Sequence, residues 1–180
     1  GFEVRRGGQL LPESIWPRPA VARLLQYFAL HRRRWLPRER ILEDLWPERD
    51  PEDAEEIFRR LFSWLHQVLE PAMRPKGPFR YFAIEGEALR FDPHDVVEVD
   101  VERMETEIRQ ALAARPMSRE AWTRLAGRLE GWPLLLPGFP YEAWLIPHQE
   151  RWRSLRTEAA QALAEDAAGE VILFIDELHT

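Results

Sequence analysis

Cysteine is absent from this 180-residue chain, so disulfides, thiol catalysis and Cys-based zinc sites are excluded at the outset. No apolar run approaches the ~20 residues of a membrane-spanning helix. The N-terminal text GFEVRRGGQ has no apolar signal-peptide core, so the expected location is cytoplasmic, with no membrane partner. A GxxxxGK[ST] phosphate loop is missing as well. The five histidines (His31, His66, His94, His148, His179) show no metal-ligand spacing, and Ser14, Ser63, Ser118 and Ser154 lack a nucleophile-elbow context. These absences predict a protein that is not an enzyme and carries no cofactor and no metal.

Apolar residues make up 45 % of the chain and charged residues 31 %, the balance of a globular protein. Eight tryptophans and nine phenylalanines are ample material for two small cores. The net charge of −6 is unevenly placed. Residues 1–95 hold 16 Lys/Arg against 16 Asp/Glu, and residues 96–180 hold 9 against 15, so the second half supplies all of it. A neutral first half can still bind a polyanion if its cations gather on one face.

Alternation around Phe2 and Val4 before Gly7-Gly8 predicts an N-terminal strand or hairpin. Pro17 and Pro19 introduce a helix whose apolar positions Val21, Leu24, Leu25, Phe28 and Ala29 follow the 3.6 period. It ends in HRRRW, cations that suit a helix C-terminus. Pro37 opens a short second helix with Ile41, Leu42 and Leu45 apolar, and Trp46-Pro47 closes it. Asp50 is the expected N-cap of a third helix, with Pro51 in its first turn. That helix runs to Leu69 and buries Phe58, Leu61, Phe62, Leu65, Val68 and Leu69. Pro71, Pro75, Gly77 and Pro78 make a stiff connector to a hairpin over 79–91 that turns at Gly86.

Beyond residue 95 the pattern is helical. Val101, Met104, Ile108 and Leu112 share one face of a helix that stops at Arg115-Pro116. Ser118 begins another with Trp122, Leu125, Ala126 and Leu129 apolar. GWPLLLPGF reads as a proline-bounded turn, and a long helix is predicted from Tyr141 to about Ala167 with Pro147 in its first part. One and a half helical hairpins are fewer than the ~3 repeats such stacks need, so this domain is expected to be truncated or capped. The last residues, GEVILFIDELHT, predict a buried strand over VILFI followed by Asp176-Glu177.

Several co-linear motifs carry a resemblance. ARLLQYFALHRRR resembles ALLxYLALHxxR, and ILEDLWPERDPEDA resembles LxxxLWPxxDPExA. FRRLFSWLHQVLE follows the frame LxxxLSxLRxxLE, GEALRF the ending GxGYRL, and PLLLPGFPYEAW the text GxLLPGxxYExW. Residues 1–95 thus resemble the OmpR-type winged helix of the SARP family of bacterial transcriptional activators. Residues 96–167 resemble the start of the helical, TPR-like bacterial transcriptional activation domain that follows it there. The implied fold is mostly α with small β: a winged helix-turn-helix, then an all-helical domain; the tail (168–180) lies outside the resemblance and is either an appended or cut segment or a structural strand of the domain. That tail is similar to the Walker B strand of Clp-type AAA+ disaggregases. Without a phosphate loop Asp176 and Glu177 have no nucleotide to serve.

The resemblance implies double-stranded DNA at promoter repeats as partner, with copies side by side as a homodimer on DNA, and contact with RNA polymerase. The polymerase loop would be Trp46–Asp53, with Trp46, Glu48, Arg49 and Asp50 as its contacts. Helix 53–69 would enter the major groove and the wing 79–91 would ride on the backbone. Arg59, Arg60, Ser63 and Gln67 fall on one strip opposite the apolar face, where Arg suits guanine, Gln adenine and Ser either. Trp64 is expected to be exposed beside them, as a DNA contact or as a partner-facing or domain-packing aromatic. Arg80 and Arg90 on the wing, and Arg34 and Arg38 near the helix ends, are expected phosphate contacts, with the Arg32–Arg34 run as either a phosphate grip or ordinary helix-terminal cations.

This chain departs from the family at the helix start, where Glu55 and Glu56 replace the usual Arg and Asn. Near its end, Trp64, Leu65 and His66 stand where two arginines flank a leucine. Each glutamate lies four residues before Arg59 or Arg60, the spacing of an intrahelical ion pair. Glu52, Asp53, Glu55 and Glu56 favour the helix dipole and repel phosphates. The alternative function is therefore a protein-interaction module that keeps the winged-helix fold and has lost strong DNA affinity. A weaker third reading is a regulatory piece of a larger ATPase.

Overall fold

At Gly7-Gly8 the chain reverses between β1 (Arg5–Arg6) and β2 (Gln9–Leu10). The two glycines take φ of 58° and 81°, a left-handed pair that only glycine adopts cheaply and that suits a two-residue hairpin. This is a computed structural model that describes residues 3–71, 79–114, 118–131, 135–136 and 142–177, with Arg119 and 167–177 described by backbone alone. The described chain is mostly helical, with six α-helices and two small antiparallel sheets. It divides into two compact units, Gly1–Glu98 and Val99–Thr180.

In the first unit α1 spans Pro19–Leu30, α2 Arg38–Leu45 and α3 Pro51–Leu69. Pro19 and Pro51 sit in first turns, where a missing N–H is no loss. Asp50 caps α3, its carboxylate accepting from the Glu52 backbone N–H at 3.0 Å. The HRRRW cations do not extend α1. The helix stops at Leu30, Arg33 takes φ 66°, and the chain enters a strand, β3 (Trp35–Pro37). β3 pairs antiparallel with β5 (Ala88–Phe91), which pairs with β4 (Phe82–Glu85), giving the order β3-β5-β4. Gly86, at φ 56°, makes the β4–β5 turn.

The inner sheet face presents Phe82, Phe91 and Leu89 to the helices, and their burial follows from the two-residue period. Phe28 of α1 lies 5.0 Å from Phe82 and 6.4 Å from Phe91, while Phe62 of α3 lies 4.9 Å from Phe82. Val21, Leu24, Ile41, Phe58 and Leu65 complete this core. Each such side chain contributes roughly 1.5–3 kcal/mol of burial, so the aromatic cluster fixes how α3 lies on the sheet. Of the residues expected under α3, Phe62 and Leu69 are only half-buried.

The second unit has α4 (Asp100–Ala113), α5 (Arg119–Gly131) and α6 (Ile146–Glu177). Its core gathers Val101, Met104, Ile108, Leu125, Leu129, Trp144, Leu145, Trp152 and Leu155. Arg128 pairs with Glu107 at 2.7 Å, Arg151 pairs with Glu105, and Arg156 donates to the Leu129 carbonyl at 3.0 Å. Two expectations are corrected here. The long helix starts at Ile146 rather than Tyr141, because Pro147 is tolerated in a first turn and not in an interior. It also runs past Ala167 to Glu177, so VILFI is helical and not a strand. Extending an alanine-rich helix adds one hydrogen bond per residue, whereas a lone strand without a sheet edge satisfies none of its backbone. The turn GWPLLLPGF, except Gly131 and Leu135-Leu136, lies outside the described residues, as do Arg115-Pro116 and the connector prolines 75 and 78.

Candidate functional site

The polar strip of α3 emerges from its period. Arg59, Arg60, Ser63 and Gln67 are exposed, while Phe58, Leu61, Leu65 and Val68 turn inward. At the start of the strip every guanidinium holds a carboxylate. Glu55 Oε1 accepts from Arg38 Nη1 at 2.7 Å and lies 3.3 Å from Arg59 Nε. Arg38 continues the row to Glu87 in the β4–β5 turn at 3.4 Å and lays its guanidinium 5.3 Å from the Phe58 ring centre. Arg60 pairs with Glu56 at 3.3 Å. Intrahelical pairs of this kind are worth only ~0.3–0.5 kcal/mol each, but they weaken the positive field any phosphate would meet.

Trp64 is not exposed as expected. It is half-buried, and the Arg18 guanidinium stands 5.4 Å from its ring centre. Indole is the best aromatic partner for a cation, which accounts for the cover. Near the helix end Arg6 Nη1 donates to the Val68 carbonyl at 2.9 Å, satisfying one of the orphan acceptors of α3. His66 is buried, stacked on Phe79 at 4.1 Å and edge-on to Phe62 at 4.5 Å, with Nδ1 3.8 Å from Glu70. Burial holds its pKa below the ordinary histidine value, and Glu70 partly opposes that. The Glu70 carboxylate in turn accepts from the backbone N–H groups of Arg80 and Tyr81, pinning the entry to β4.

Arg80 is exposed, with its guanidinium 5.5 Å from the Tyr81 ring centre. Arg90, opposite Trp35 in the sheet, is half-buried with its guanidinium 6.0 Å from that indole. Arg34 is exposed. Its neighbours are not free: Arg32 pairs with the fully buried Asp92 at 3.0 Å and lies 3.6 Å from Asp95, and Arg33 pairs with Asp95 at 3.3 Å. In the 46–50 loop, Glu48, Arg49 and Asp50 are exposed, Trp46 is half-buried, and Asp50 is committed to capping α3.

The structure therefore brings Arg38 and Arg59 together on one carboxylate, and Ser63 and Gln67 continue the same exposed strip of α3. Sequence reasoning missed strand β3, the Arg38–Glu55 convergence, the Arg18–Trp64 pair and the Arg32–Asp92 pair. Only β3 had a local signal, the Trp-Leu-Pro text itself. Among the described residues no group of three or more His, Asp or Glu side chains is arranged to hold a metal, and no helix is long and apolar enough to cross a membrane. No known protein family matches the chain, and no curated protein or solved structure does either.

Proposed function

We propose that residues 1–98 form a winged helix that binds double-stranded DNA within a transcriptional regulator. In this reading α3 is the recognition helix, β4–β5 is the wing, and α4–α6 begin a TPR-like activation domain. The observation that carries it is topological. A strand from between the first two helices joins the later hairpin, and α3 packs its apolar side on both α1 and that sheet while Arg59, Arg60, Ser63 and Gln67 stay in water. Two copies side by side on promoter repeats and an RNA polymerase contact through residues 46–53 complete the proposal.

The Arg59–Glu55–Arg38–Glu87 row favours a second reading, a protein-interaction module of the same fold with weakened DNA affinity. Selection of bound sequences from randomised duplexes at several salt concentrations separates the two. A regulator enriches one repeat motif and prefers it ~10³-fold or more over random DNA. Enrichment of no motif, even at low salt, assigns the fold to protein interaction.

A further inference from the structure

We infer that the DNA-contacting surface of the first unit lies over the last two turns of α3 with Arg5, Arg6 and Arg18, rather than over its middle, where Arg59 and Arg60 stand. This rests on the DNA-binding reading above and gives it a docking polarity. The middle and the end of α3 differ in how their cations are occupied. Arg38, Arg59 and Arg60 already face Glu55, Glu56 and Glu87, so a phosphate arriving there meets a carboxylate beside every guanidinium. Arg5, Arg6 and Arg18 are exposed, and among the described residues none of them pairs with a carboxylate.

Two interactions place Arg6 and Arg18 along the helix. The Arg6–Val68 hydrogen bond seats the β1–β2 hairpin beside the end of α3, and Arg5 is its neighbour in β1. Arg18 covers Trp64, and Trp64 lies one turn before Val68, on the same side of the helix. Ser63 and Gln67, both exposed, are the adjacent strip. The carbonyl uses one of the five N–H donors of Arg6, leaving the rest of the fork for an anion. Guanidiniums with no carboxylate partner among the described residues, beside an indole and an amide, suit a phosphate backbone with a base edge within reach, and on binding phosphate they release counterions that carboxylate-paired arginines do not.

The test is fluorescence anisotropy of the full chain with a random-sequence duplex over a salt series. Arg5→Ala with Arg18→Ala should weaken binding and flatten the log K against log salt slope by about 0.9 for each phosphate no longer neutralised. Arg5→Lys with Arg18→Lys should keep the slope, and Arg59→Ala with Arg60→Ala should leave it nearly unchanged. Should loss of Arg18 unfold the unit, Arg5→Glu alone, at an exposed hairpin position, must still weaken binding. If the Arg59/Arg60 pair sets the slope and the Arg5/Arg18 pair does not, DNA binding stands and this polarity is overturned. If the unaltered chain ignores DNA at low salt but binds polyglutamate through Arg5 and Arg18, the surface belongs to an acidic protein and both readings fail.

Discussion

Nη1 of Arg32 lies 3.0 Å from Oδ2 of Asp92, and neither side chain is more than 7 % exposed. Asp92 also accepts from the backbone N–H groups of Val96 and Val97, at 2.7 and 3.1 Å. It adopts φ 52°, and Arg33 beside its partner adopts φ 66°, conformations that side chains rarely take unless their surroundings hold them. The pair thus ties the end of α1 to the chain leaving β5. Asp92→Ala removes the buried partner of Arg32 and the acceptor of two backbone N–H groups, leaves Arg32 the exposed Asp95 at 3.6 Å, and should cost about 3–5 kcal/mol. Urea unfolding followed by circular dichroism measures this. A cost under about 1 kcal/mol would show that Asp95 or water takes over the Arg32 guanidinium.

Acid should weaken the first unit. Burial lowers the pKa of both His31 and His66 from the ordinary 6.5, against upward pulls from the Tyr27 carbonyl and Asp44 on the first and from Glu70 on the second. Arg34 and Arg40 add to the lowering at His31. A folded-state pKa below the unfolded one means the unfolded chain binds more protons in that window. Stability is therefore full above 6.5 and falls as pH drops toward the lowered values. Thermal melts at successive pH values should show a midpoint falling on that side, and His66→Phe, which suits its cage of Phe62, Phe79 and Phe82, should flatten the fall. A midpoint that rises on acidification would mean that the His66–Glu70 ion pair outweighs desolvation.

Local chemistry was legible in the sequence, and long-range pairing was not. The 3.6 period placed Leu24, Phe28, Phe58 and Leu65 inward and Arg59, Arg60, Ser63 and Gln67 outward, because each position depends only on its own helix. Asp50-Pro51 and Gly86 marked a cap and a turn by their own backbone needs. The i,i+4 spacing likewise exposed the Glu55–Arg59 and Glu56–Arg60 pairs. No spacing rule connects Arg32 to Asp92, which are 60 residues apart, or Arg6 to Val68, which are 62 apart. The cover of Trp64 is invisible to helical periodicity because Arg18 comes from a different part of the chain. VILFI reads as a strand by composition, yet the helix already under way continues through it.

Glu55 and Glu56 restrain the arginines of α3, so removing their charge should tighten DNA binding. Glu55→Gln releases Arg59 and leaves Arg38 with Glu87 alone, and Glu56→Gln releases Arg60. The double variant should bind random duplex more tightly at low salt, with a slope steeper by roughly 0.9 for each additional phosphate neutralised. Anisotropy titrations at several ionic strengths read both quantities. An unchanged slope with unchanged affinity would show that the middle of α3 stays away from DNA even when its cations are released.

Within the 46–50 loop, folding and partner contact can be separated residue by residue. Asp50 has a structural task, since its carboxylate holds the Glu52 N–H at the start of α3. Asp50→Ala should cost about 1 kcal/mol, and Asp50→Ser should recover most of it, because Ser is an equally good cap. Glu48 and Arg49 are exposed and outside any side-chain bond among the described residues, so alanine at either should shift stability by under about 0.5 kcal/mol. If the loop meets RNA polymerase, Glu48→Ala with Arg49→Ala should lower promoter-dependent transcription in a reconstituted assay while DNA affinity and the urea midpoint stay as they were. Equal loss of DNA affinity would place the loop against the duplex, and full transcription by the double variant would remove it from the polymerase contact.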